Sequence, residues 1–74
     1  MNITFETAEN ETTFDLRDSV LPRQGEYIDW SHPPTNANQL PLGVYRVEQV
    51  THLFSHGTMS VRLGLVFVGL TRLK

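Results

Sequence analysis

The chain has no cysteine. No disulfide can staple it, and no thiolate can hold zinc. It has a single lysine, Lys74, and a net charge of −2. Nucleic-acid binders draw much of their affinity from neutralising phosphates and show a basic excess. Nucleic acid is therefore not the expected partner. No window of twelve or more residues sustains a 3.6-residue apolar period, so helices are not expected. The longest apolar stretch, residues 63–70, is broken by Gly64 and Gly69. It is too short to cross a bilayer as a helix. Residues 1–6 alternate and carry neither a basic head nor an apolar run. No secretion signal is expected from them, and a reducing, cytoplasmic setting is the expected location.

What is present fits one small domain over residues 1–74. At 74 residues and 8.4 kDa, a domain buries only about 60% of its unfolded surface, so the core is thin. That excludes a two-domain enzyme, a doubly wound nucleotide-binding fold and an eight-stranded (β/α) barrel. Charged residues make up 19%, too few for a disordered polyelectrolyte.

Strand signals dominate. Ile3 and Phe5 alternate with polar residues, as do Phe14 and Leu16, around the polar turn Ala8-Glu9-Asn10-Glu11. This predicts a first hairpin over residues 2–18. Its apolar side is small, and an isolated two-stranded unit is marginal in water. It must pack on its own domain or on a neighbouring subunit. A turn at Pro22 to Gly25 leads to a short strand ending at Trp30. Residues 31–41 hold Pro33, Pro34, Asn36, Asn38 and Pro41. They predict a loop, long for so small a domain, of the kind that is often functional.

Residues 43–54 and 59–70 form two strand-like runs joined by Ser55-His56-Gly57-Thr58. A His56-Gly57 tip suits a tight hairpin turn, because both positions need positive φ. That register opposes Phe54 to Met59, His52 to Val61 and Val50 to Leu63. Farther from the turn the apolar set changes face, near Glu48-Gln49 on one run and Gly64-Leu65 on the other. Tyr45 and Val47 then oppose Val66 and Val68. Such a switch predicts a bulge or sharp bend, as when one long hairpin closes a barrel. The expected fold is all-β: five strands in a small partly open barrel or tight sandwich. The expected core is Phe14, Leu16, Tyr27, Ile28, Val44, Val47, Val50, Val61, Leu63, Val66 and Val68.

Residues that could carry chemistry are sparse. Zinc needs three or four ligands in tetrahedral reach, and His32, His52 and His56 are spread between a loop and a hairpin. No metal site and no cofactor are expected. Ser19, Ser31, Ser55 and Ser60 lack a glycine-flanked elbow. Asp29, Ser31 and His32 are close in sequence, but a triad is defined by geometry. The chain is expected not to be an enzyme. Residues 1–29 carry a net charge of −5 and residues 30–74 a net charge of +3. Either the two halves meet within one molecule, or acidic and basic edges meet between subunits. The candidate partner contacts are Trp30, His32, Pro33, Pro34, Asn36, Tyr45, Arg46, His56 and Arg62. The other reading of Trp30 is as the largest core residue, partly covered by Pro33 or Pro34.

Three runs together form a pattern: Leu21-Pro22-Arg23-Gln24-Gly25-Glu26-Tyr27-Ile28, then Gly43-Val44-Tyr45-Arg46-Val47-Glu48-Gln49-Val50-Thr51-His52, then Val61-Arg62-Leu63-Gly64-Leu65-Val66. The pattern resembles short bacterial and prophage β-barrel proteins of the SH3-like kind. It covers roughly residues 21–67, with the long loop as an insertion and Glu26 where an aspartate is commoner. Some members of that group are phage head-closure, tail-completion or accessory components. The resemblance implies a binding or assembly role, a bacterial cytoplasm or a virion as the location, and no catalytic residues. A protein partner or self-association is therefore expected, with no membrane. The alternatives are a small-barrel nucleic-acid-associated protein using Trp30, Tyr45, Arg46 and Arg62, and an accessory subunit or small enzyme with a site at His52.

Overall fold

A computed structural model describes residues 2–16, 20–35 and 40–70. The chain is all-β, with no helix among the described residues. Its elements are β1 (Asn2–Glu6), β2 (Glu11–Asp15), β3 (Tyr27–Trp30), β4 (Gly43–Ser55) and β5 (Thr58–Gly69). They form one curled sheet in the order β2-β1-β5-β4-β3, a half-barrel rather than a closed one. All neighbouring strands are antiparallel except β1 and β5, which run parallel from Asn2↔Ser60 to Glu6↔Gly64. The first hairpin therefore packs on its own domain. Its second strand ends at Asp15, one residue before Leu16, and the rest of the expected extension, to Asp18, lies outside the described residues.

Alternation explains the core. Ile3 and Phe5 of β1, Phe14 of β2, and Val61, Leu63 and Leu65 of β5 all turn to the inner face and are buried. Each large side chain removed from water in this way contributes roughly 1.5–3 kcal/mol. The outermost strands β2 and β3 are not hydrogen-bonded to each other. Aromatic rings bridge them instead. Phe5 meets Phe14 and Trp30 at centroid distances of 5.1 Å in each case, and Phe14 meets Trp30 at 5.7 Å. Leu16, Leu21 and Ile28 pack around the buried cluster, and Leu40 is part of it. The Trp30 indole nitrogen is buried with no acceptor among the described residues.

The long hairpin has the predicted tip: His56 and Gly57 take φ values of 54° and 77°. The predicted register holds, with Phe54↔Met59, His52↔Val61 and Val50↔Leu63. The bulge also falls where the pattern switches. Val47 opposes Leu65 while Gln49 opposes Gly64, so Glu48 is the extra residue.

Beyond the bulge the expectation needs correction. A bulge inserts a residue on one strand only. The facing pattern shifts along β4, while β5 keeps its alternation through Phe67. Tyr45 therefore opposes Phe67, and Val47 opposes Leu65. Val66 and Val68, expected in the core, are 44% and 45% exposed on the outer face. Tyr27 is likewise exposed, because β3 has its inner positions at Ile28 and Trp30. Leu16, Ile28 and Val50 are only partly buried, at the margin of the core. Phe14, Val44, Val47, Val61 and Leu63 are buried as expected.

Candidate interaction surface

Two of the candidate contacts are core residues. Trp30 is 6% exposed and Tyr45 1%, so neither presents a ring face to a partner. Burial follows from their positions. Trp30 faces inward at the end of β3, and Tyr45 lies between Ile28 and Phe67 in the sheet. The Tyr45 hydroxyl donates a 2.6 Å hydrogen bond to the Pro41 carbonyl. Burial raises the pKa of this phenol. The bond ties the end of the proline loop to β4.

Arg46 and Arg62 are each engaged by carboxylates. The Arg46 guanidinium is paired with Glu48, and that hydrogen bond raises its pKa above the usual arginine value. Arg62 donates to Glu6 at 2.6 Å and lies 3.9 Å from Glu11. Its pKa is raised chiefly by the Glu6 hydrogen bond. The Glu6 and Glu11 contacts join the acidic first half to the basic second half within one molecule.

His32 is exposed beside Ser31, whose hydroxyl lies 3.3 Å from its Nδ1. Pro34 is exposed and Pro33 partly so. Asn36 lies outside the described residues. His56 is exposed at the hairpin tip, and so is His52, although it pairs across the hairpin with the buried Val61. Among the described residues no three His, Asp or Glu side chains are grouped to hold a metal ion.

The residues that stand out instead are apolar. Near the hairpin tip Leu53, Phe54 and Met59 are exposed, Phe54 to 73%. At the opposite end of the same hairpin Val66, Phe67, Val68 and Leu70 are exposed. Phe67 lies edge-on to Tyr45 at 5.3 Å and covers Gly43. A Cβ on Gly43 would come within 2.5 Å of that ring, and its φ is +149°.

A groove of about 450 Å³ runs from there to the turn of the first hairpin. One wall is residues 7–10, and the other is Pro41, Tyr45, Leu65, Val66 and Phe67. Thr7 builds the first wall. Its hydroxyl accepts hydrogen bonds from the amides of Glu9 and Asn10, and its own amide donates to the Asn10 carbonyl at 2.8 Å. This is a local side-chain turn of the kind threonine favours. The sequence held one signal for the groove. Unbroken alternation along β5 places Phe67 beside Leu65 on the inner face.

In comparisons with family models, curated proteins and solved structures, nothing matches the chain. Among the described residues no helix is long and apolar enough to cross a membrane.

Proposed function

We propose that the chain is a non-enzymatic protein-binding or assembly module. The observation that carries this reading is the apolar tip of the long hairpin. Phe54 and Met59, paired on one face, and Leu53 on the other stand in solvent on an arm that no other strand flanks among the described residues. Exposed apolar clusters on a small domain mark sites of association. The sequence resemblance to SH3-like prophage proteins agrees, since it implies an assembly role and a phage-derived structural or accessory part. The pairing of Arg46 and Arg62 with carboxylates, and the burial of Trp30 and Tyr45, weigh against base stacking on this surface.

The test is comparative capture from a bacterial lysate. The bait proteins are the wild type and the triple variant Leu53→Ser, Phe54→Ser, Met59→Ser, each first shown to fold by circular dichroism. The expected result is at least one protein, or a second copy, held by the wild type and lost by the variant. Identical capture by both, together with a monomeric mass at every concentration, contradicts the reading.

A further inference from the structure

One side of β5 is open. β1 covers it from Ser60 to Gly64 and stops there, because Glu6↔Gly64 is the last pair. Among the described residues no strand pairs with residues 65–69 on the side away from β4. Strand edges that must stay single are usually blunted by charges, proline or bulges. This one carries no charge and no proline, and the nearest charge on β5, Arg62, is engaged by Glu6 and Glu11. Val68 is the extra residue of an irregularity against β4, which bends the edge but adds no charge.

We propose that this edge pairs antiparallel with the same edge of a second copy, giving a twofold dimer with one sheet running through both molecules. The proposal deepens the assembly reading and rests on it. A twofold contact sets every residue near its own twin, and residues 65–69 carry no charge to repel theirs, the charged Glu9 standing across the groove in the turn of the first hairpin. The register closes on itself. Phe67 meets Phe67 of the partner subunit across the axis, and Val66 lies opposite the partner's Val68. Leu65 lies opposite the partner's Gly69, where no side chain intrudes.

Directly opposed residues share a face. The two valine pairs therefore cover each other's half-exposed side chains on the outer face. The two Phe67 rings meet on the inner face, beside the groove bounded by Tyr45, Leu65 and Pro41. The β1 end at Gly64 limits the contact to five residues per copy. An interface so short supports a dissociation constant on the order of micromolar.

The experiment is light scattering after size exclusion, from about 1 µM to about 1 mM protein, in about 0.1 M and about 1 M NaCl. The wild type is expected to rise from one chain to two with concentration, equally at both salts. V66K/V68K sets like charges opposite each other on the outer face and leaves the core alone. Its dissociation constant is expected to rise at least about a hundredfold. V66E/V68E should behave in the same way, and an equal mixture of the two variants should recover the dimer. Circular dichroism melts confirm that both variants fold.

A wild type that stays monomeric at about 1 mM overturns the proposal. So does a dimer unaffected by the lysine pair, or one dissolved by salt, which points to an acidic–basic contact instead. A foreign peptide held at this edge by a monomer also overturns it. A monomer that still captures a partner through its hairpin tip sinks this pairing and leaves the assembly reading intact.

Discussion

Val61 and Leu63 share one face of the long hairpin with Met59 and Phe54. The first two are at most 1% exposed, and the last two are 45% and 73% exposed. The residue types, the alternation and the pairing are equivalent. The difference lies in the cover. β1 reaches back along β5 only as far as Ser60. β2 and the ring cluster of Phe5, Phe14 and Trp30 close the half-barrel above Val61 and Leu63. Past Ser60 no strand follows among the described residues, and the same apolar pattern faces water. A hairpin's pattern shows which face is apolar. Only the neighbouring strands decide where that face becomes core.

The strongest way to break this contrast is to remove the cover. Phe14→Ala is expected to cost about 3–5 kcal/mol, as much as a core of this size supplies in total. Thermal melting should show a largely unfolded chain. A cooperative transition near that of the wild type would mean that the rings do not close the half-barrel. Gly43→Ala comes next. The added carbon meets the Phe67 ring and the Gly69 carbonyl at a φ that side chains avoid, and a loss of about 1–3 kcal/mol is expected in urea denaturation.

Tyr45→Phe removes the hydroxyl bond to Pro41 and should cost about 1 kcal/mol. It also sharpens the comparison through pH. Burial raises the phenol above its ordinary 10.0, so the folded state holds this proton more tightly than the unfolded state. That contribution is fully present below pH 10.0 and is lost as pH rises through the folded value. Wild-type stability should fall on going to strong alkali, and Tyr45→Phe should flatten that fall. The smallest effect is expected at the bare tip. Phe54→Ser should shift stability by no more than about 0.5 kcal/mol, and a larger loss would show that the tip is covered after all.

Much of this architecture was legible in the sequence. The His56-Gly57 turn, the register of Phe54, His52 and Val50, and the bulge at Glu48 all follow from period-two alternation and turn chemistry, which are local. The face of Val66 and Val68 was not legible. An apolar run such as residues 65–68 fits either alternation, and the choice depends on which strand carries the extra residue. The parallel pairing of β1 with β5 joins residues almost sixty positions apart, and no local pattern encodes it. Leu40 shows the same limit, since it lies at the end of a polar, proline-rich loop and yet is core. Among the candidate contacts, the aromatic rings of Trp30 and Tyr45 gave no sign of which way they point. The arginines gave no sign of their carboxylate partners either, because Glu6 and Glu11 reach Arg62 through the β1–β5 pairing.

The most direct test of the central claim is residue-resolved amide hydrogen exchange at a protein concentration low enough to keep single chains. Exchange reports local opening along the strands. The amides of Val61 and Leu63 are expected to exchange slowest, through global unfolding. Those of Leu53, Phe54 and Met59 should exchange much faster, although they belong to the same hairpin. Equal protection from the tip to Leu63 would contradict the claim that the β1–β2 cover, rather than the hairpin itself, makes the core.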